Sequence, residues 1–259
     1  MADRIDIELE FAAGTDVGCK RSNNEDSFGY DLIRNLYVVC DGMGGAAGGE
    51  IASGSAVRAL IEFFNAESEA RPERPIEERL HEAIATTNQV VRKLATATEQ
   101  FSGMGTTLVC ACLEGDRIVI ANVGDSRAYF ARNGNCFQVT QDHSLISEQL
   151  RNGMISAEQA AASELQPFIT RAVGVSEFVE ADLFAADLLP ADMILLATDG
   201  LTRYLPDTEL GSVLHQYHDV SQACRALIQL AKDRGGADNI TCIVLRAGTP
   251  SLQRTSEPK

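Results

Sequence analysis

Ile5, Ile7, Leu9 and Phe11 alternate with polar residues at the start of the chain, the period-two pattern of a strand with one buried face. Further strands are predicted over 27–31 and 36–40. A glycine-rich loop, Gly42 to Gly49, leads into a helix from about Glu50 to Phe64, where Val57, Leu60, Ile61 and Phe64 share one face. The charged stretch Ala66 to Pro75 contains two prolines and reads as a surface loop. Beyond it, Ile76, Leu80, Ile84, Thr87, Val91 and Leu94 recur at spacings of four and three, the clearest helical stripe in the chain. From Thr106 to Val139 the pattern changes to short strands, with Gly115-Asp116 and Asn133-Gly134 as hairpin connections. Residues 143–162 are polar and locally helical, 163–170 irregular, and strands return near 178–184 and 193–197. Asp219 and Gln222 resemble a capping box ahead of the stripe Val220, Cys224, Leu227 and Ala231. A last strand spans 240–246.

Adjacent hairpins imply antiparallel sheets, and long amphipathic helices need sheet faces to cover. Layered sheets flanked by helices satisfy both. No linker or internal repeat divides the chain, so one domain is expected over 1–247, with a loose tail over 248–259. Of the 259 residues, 45% are apolar, enough for a proper core. A formal net charge of −15 provides no basic field for nucleic acid or an anionic membrane, so neither is an expected partner. No apolar run approaches the roughly 20 residues needed to span a bilayer, and Met1 to Glu10 is no signal peptide. The seven cysteines are odd in number, contain no Cys-x-x-Cys and lie mostly in apolar runs, Cys40, Cys110, Cys112, Cys224 and Cys242 among them. They are expected to be reduced core residues, which fits a cytoplasmic protein.

The candidate chemistry lies where apolar runs meet acids. Leu36-Tyr37-Val38-Val39-Cys40 runs into Asp41-Gly42, and Ile194-Leu195-Leu196-Ala197-Thr198 into Asp199-Gly200. Gly124-Asp125 and Ala237-Asp238-Asn239 flank other apolar runs. A single Asp-Gly is ordinary turn chemistry. Four convergent carboxylates, however, repel one another unless a cation sits among them, which points to a hard-metal site. A rival reading is that Gly42-Met43-Gly44-Gly45-Ala46-Ala47 fits the dinucleotide fingerprint, with Glu62 or Glu67 as the ribose-binding acid. Asp41 would then stand beside a pyrophosphate, and the hairpin-rich middle lacks repeated βαβ units, both of which disfavour a nicotinamide enzyme. A nucleotide P-loop fails outright, because no Gly-Lys-Ser/Thr follows the glycines. His215 and His218 are three apart, with no third ligand nearby in sequence, and read as a surface pair.

Five segments carry a collective signal: Arg21-Ser22-Asn23-Asn24-Glu25-Asp26, Gly103-Met104-Gly105-Thr106-Thr107, Gly124-Asp125-Ser126-Arg127, Thr198-Asp199-Gly200 and Gly235-Gly236-Ala237-Asp238-Asn239. In this order, with Asp41-Gly42, they resemble the metal-dependent protein phosphatases of the PP2C type, in particular the compact bacterial members. The resemblance extends from about Thr15 to Val244. It implies an α+β fold, a central antiparallel β-sandwich flanked by α-helices on both sides in four layers, in agreement with the layered reading.

The resemblance also implies an activity: hydrolysis of phosphoserine and phosphothreonine in proteins at two Mn²⁺ or Mg²⁺ ions, opposing a serine/threonine kinase, by a monomeric enzyme. Carried over by position, Asp41 bridges both metals, Asp199 and Asp238 complete the first, and the Gly42 carbonyl ligates the second. Asp26 acts mainly through metal-bound water, with Glu25 a weaker candidate for the same shell. Arg21 binds the substrate phosphate, and Asp125 with Asp199 matches the position of a third, looser ion. Such oxygen-rich sites suit hard cations that keep several waters. Two metals about 3.5–4 Å apart activate a shared water near neutral pH without a nucleophilic Ser or Cys. Residues 143–170 resemble the family's flap. Larger relatives often carry His directly after the Asp-Gly; here the position is Met43, whose thioether donates no proton, which leaves a metal-bound water or, remotely, His143 as the leaving-group acid. The rival class is an inactive binding module on the same fold, whose mark would be a lost core carboxylate. None is missing.

Overall fold

The structure is a computed structural model that describes residues 7–45, 48–161, 163 and 168–248. Ile5 and nearly all of the expected C-terminal tail lie outside the described residues. The strands are β1 (Leu9–Asp16), β2 (Asp26–Asp31), β3 (Leu36–Met43), β4 (Gly105–Thr106), β5 (Leu108–Glu114), β6 (Arg117–Val123), β7 (Arg127–Arg132), β8 (Asn135–Gln138), β9 (Asp182–Asp187), β10 (Met193–Ala197) and β11 (Ile240–Ala247). The helices are α1 (Gly48–Ala70), α2 (Ile76–Ala97), α3 (Leu145–Arg151), α4 (Ala157–Ala161), α5 (Asp199–Thr202), α6 (Asp207–Gln216) and α7 (Val220–Asp233).

The strands form two sheets. One has the order β1-β11-β10-β7-β8, the other β2-β3-β5-β6-β9 with β4 added to the far end of β3. Every pairing between these strands is antiparallel, so the βαβ frame of a nicotinamide enzyme is absent from them. Successive side chains point to opposite faces of a strand, which explains why β3 is apolar throughout. Tyr37 and Val39 pack between the sheets, against Ile194, Leu196, Ile243 and Leu245. Val38 and Cys40 face the other way, toward Leu60 and Phe64 of α1 and Leu80 and Ile84 of α2. On the opposite face of the molecule, Leu195, Cys242 and Val244 meet Leu210 and Leu214 of α6 and Cys224 and Leu227 of α7. The four-layer α-β-β-α sandwich follows from three stacked apolar interfaces.

Turn chemistry sets the hairpins. Asn133 and Gly134 both take positive φ, 53° and 79°, and close β7 onto β8. Asp219 caps α7 by accepting the Ser221 backbone N–H at 2.7 Å.

Several boundaries differ from the sequence reading. Helix α1 runs to Ala70 instead of ending near Phe64. Ser68 is buried, and the Glu67 carboxylate, paired with Arg71 and Arg74, lets the helix continue until the prolines at 72 and 75 stop it. Strand β3 does not end at Cys40 but continues through Asp41 and Gly42 to pair with β4. Strand β9 starts at Asp182, later than predicted, because Phe178 lies exposed ahead of it. Helix α6, unpredicted, places His215 exposed in its last turn. His218 lies beyond that helix against Arg246, so the two histidines share no helix face.

Close backbone approach explains the glycines at 42 and 200. A Cβ on Gly42 would sit inside contact distance of the Gly49 carbonyl oxygen and 2.6 Å from that of Glu25. A Cβ on Gly200 would collide with the Asn239 carbonyl. Gly42→Ala is therefore expected to cost at least about 2 kcal/mol through overpacking. Urea unfolding measures it, and a loss below about 0.5 kcal/mol would show that the two backbones separate freely.

Candidate active site

Antiparallel pairing brings strand starts and strand ends to one edge of the sandwich. Asp26 opens β2 directly opposite Asp41 on β3. Ala197 of β10 pairs with Cys242 of β11, so Asp199 just after the one and Asp238 just before the other meet at that edge. Asp16 pairs with Ile240, which delivers the loop bearing Arg21, and the turn between β6 and β7 adds Asp125. There a cavity of about 550 Å³ is lined by Asp41, Asp125, Asp199, Asp238, Arg21 and Glu25, with Gly42 and Met43 in its wall. Asp26 stands behind Asp41, buried and outside that lining. Of the residues singled out for the site, the structure brings Arg21, Glu25, Asp41, Gly42, Asp125, Asp199 and Asp238 to one cavity, with Asp26 directly behind it, and leaves His143 outside.

Hydroxyl and amide groups hold the acids in place. Thr198 Oγ1 donates to Asp26 Oδ2 at 2.9 Å and accepts the Thr241 backbone N–H at 3.0 Å. The Asp41 N–H donates to Thr107 Oγ1 at 2.9 Å, while Thr106 Oγ1 donates to the Asp41 carbonyl at 2.8 Å. Asn239 ties three segments: its Oδ1 accepts the Glu25 N–H at 2.9 Å, and its Nδ2 donates to the Val17 and Asn23 carbonyls at 3.0 and 2.9 Å. These four residues lie inside or beside the motifs, yet no role was assigned to them from sequence. Adjacency to the acids was the available signal.

Two arginines reach the acids. Arg21 pairs with Asp238 at 2.9 Å, so the expected phosphate binder holds an expected metal ligand in this state. Arg203, which sequence reading passed over, pairs with Asp199 one helical turn earlier. The remaining charge is uncompensated. Burial, and then the charges of Asp26, Asp199, Asp125 and Asp238, hold the Asp41 carboxyl well above the usual range. Burial also raises Asp26 to about 7 against its hydrogen bonds from Thr241 and Thr198, and raises Asp125 to about 7, reinforced by Asp199 and Asp142. Asp199 is raised by burial, opposed by Arg203. Asp26 Oδ1 and Asp199 Oδ1 are buried with no hydrogen-bond partner.

Orphaned carboxylate oxygens among mutually repelling acids fit divalent cations. Among the described residues no three His, Cys, Asp or Glu side chains form a group that would hold an ion by themselves. An open, carboxylate-lined cavity suits Mg²⁺ or Mn²⁺ nonetheless, because such ions retain several waters and need few protein ligands.

His143 takes no part in this cavity. It is buried, its Nδ1 accepts the Gly124 N–H at 3.1 Å, and its Nε2 lies 3.2 Å from Asp182 Oδ2 in poor hydrogen-bond alignment. Burial depresses its pKa, so the neutral ring anchors the turn that carries Asp125. Met43 lines the cavity and brings no proton.

The sequence profile of the family described as Protein phosphatase 2C matches residues 14–242. A relative from Listeria welshimeri, the serine/threonine phosphatase stp, is 38% identical over 234 residues, 89% of this chain and 93% of the relative. The crystal structure of the Mycobacterium tuberculosis serine/threonine phosphatase PstP/Ppp superposes with a TM-score of 0.85 at 32% identity, covering 93% of this chain and 99% of that one. The catalytic domain of PstP in complex with two manganese ions superposes with a TM-score of 0.83 at 32% identity, again covering 93% and 99%.

The raised carboxyls make stability depend on pH. Their protons are held in the fold up to about pH 7 but are lost near 3.8 from an unfolded chain, so between those values the folded state binds more protons. Stability from this cluster therefore falls as pH rises through that window. Calorimetry of metal-free protein should show a lower melting temperature at about pH 7.5 than at about pH 5, and Mn²⁺ should raise it more at the higher pH. Asp26→Asn should flatten the slope. An unchanged slope would assign the effect to the overall negative charge.

Proposed function

The chain belongs to the Protein phosphatase 2C family, and on that premise we propose that it hydrolyses phosphoserine and phosphothreonine in proteins at a dinuclear Mn²⁺ or Mg²⁺ centre. The observation that carries this reading is the convergence of Asp41, Asp199, Asp238, Asp26 and Asp125 on one edge, with unpartnered buried oxygens on Asp26 and Asp199. A PstP structure with two manganese ions supports the choice of cofactor.

Asp41 would be a ligand to both ions, Asp199 and Asp238 would complete the set of one, and the Gly42 carbonyl would serve the other. When bound, the ions supply Lewis acidity, lowering the pKa of a shared water and neutralising phosphate charge. Asp26, behind Asp41 and fixed by Thr198, orients through solvent without occupying the cavity. The Arg21 guanidinium, half exposed at the cavity mouth, is free to exchange Asp238 for two phosphate oxygens. Neither Met43 nor the walled-off His143 protonates the leaving group, so that proton comes from solvent in the cavity. No serine or cysteine nucleophile is required, and no phosphoenzyme forms.

The phosphorylated proteins come from a serine/threonine kinase that the enzyme opposes in the cytoplasm. The names of the relatives support the substrate class. No helix among the described residues is long and apolar enough to cross a membrane.

Phosphothreonine peptides should be hydrolysed with Mn²⁺, and EDTA should abolish turnover. Asp41→Asn and Asp199→Asn are each expected to lower kcat at least about a hundredfold, since even outer-shell changes at metal sites reach that range. A fully metallated protein without turnover would overturn the assignment. Arg21→Ala should raise KM about tenfold through loss of a charge-assisted contact. Unchanged KM and rate would remove Arg21 from phosphate binding.

A further inference from the structure

Arg203 follows the single turn of α5, and its backbone N–H donates to the Asp199 carbonyl at 2.9 Å. That turn places it four residues after Asp199, on the same side of the helix, and its guanidinium pairs with Asp199 Oδ2. Asp199 Oδ1 remains unpartnered, so the two oxygens have separate fates. A second cavity of about 290 Å³, running under α3 and α4, shares Asp125, Asp199 and Arg203 with the main one. The guanidinium therefore stands in the wall between the cavities, beside the two acids that a third cation would use. Its charge acts on both of them, and Asp142 adds negative charge to Asp125 from the far side.

We propose that Arg203 is the built-in counter-cation of the Asp125–Asp199 pair, so that a third divalent ion binds there only when the guanidinium swings out. The inference rests on the dinuclear reading above and extends it. An ion entering between these acids must displace a positive charge already bound to Asp199 Oδ2, or sit next to it. Either route weakens the third site, while Asp199 Oδ1 stays available to the first metal. Arg203 is a positioning residue: it sets how many cations the cavity holds. Its side chain is 43% exposed, so withdrawal leads directly into solvent.

Mn²⁺ binding to the full chain, followed by the electron paramagnetic resonance of free Mn²⁺ and by metal content after equilibrium dialysis, tests this directly. The parent protein should saturate with two ions before a much weaker third. Arg203→Gln, with Arg203→Ala as a second variant, should bind the third about threefold to fivefold more tightly. Adding Asp125→Asn to Arg203→Gln should remove that gain. A third ion bound equally well by parent and by both Arg203 variants would overturn the proposal, as would a gain that survives Asp125→Asn. Asp41→Asn separates the two readings. If it leaves the first two ions in place, the dinuclear assignment fails, whatever Arg203 does.

Discussion

Mutual repulsion among buried carboxylates is the constraint around which this molecule is arranged. Two unit charges about 4 Å apart repel by about 4 kcal/mol at the effective dielectric of a protein surface. A few such pairs rival the 5–15 kcal/mol that holds a typical domain together. Asp41, Asp26, Asp199 and Asp125 therefore cannot all be ionised at the sandwich edge unless positive charge joins them, and without it they keep protons to unusually high pH. The site is a place where the fold spends stability and a cation restores it.

The frame that withstands this repulsion is backbone. Asp41 lies within a continuous strand, hydrogen-bonded on both sides by β2 and β4, so its position does not depend on its own side-chain contacts. Beneath it the strand is buried on both faces, with Tyr37 and Val39 between the sheets and Val38 and Cys40 under the helices. Displacing the carboxylate would mean breaking ladder bonds and opening two apolar interfaces at once. Gly42 and Gly200 let neighbouring backbones close in around the acids, and Asn239 fastens the Arg21 loop to the start of β11.

Much of this was legible in the chain because it is local. The hairpins carry their turn residues, the stripe of α2 is periodic, and the apolar run of β3 ends at the acid that matters. The order of the motif segments indicated which acids meet. What escaped was either weakly patterned or distant. Helix α6 is short and interrupted by Gly211, which is there because Cys136 packs against it, a tertiary reason invisible in the local pattern. The partners of Asn239 lie 214 to 222 positions away. Arg203 escaped although it is only four residues from Asp199. That spacing acquires meaning only once Asp199 is known to begin a helix and not merely to end a strand.

The two arginines then have a common logic. Each engages an acid of the cluster, Arg21 with Asp238 and Arg203 with Asp199, and both are partly exposed. Exposed pairs contribute at most about 1 kcal/mol, so neither is a fixed strut and either yields to a stronger partner. A divalent cation on Asp238 is such a partner. Its arrival would weaken the hold of that carboxylate on Arg21 and leave a guanidinium at the cavity mouth with unfilled donors. A phosphate dianion has the geometry to fill them. On the proposed function, metal loading and phosphate binding would in this way be linked through one exchangeable ion pair, and the negative cluster that would draw in the cations also keeps Arg21 beside it.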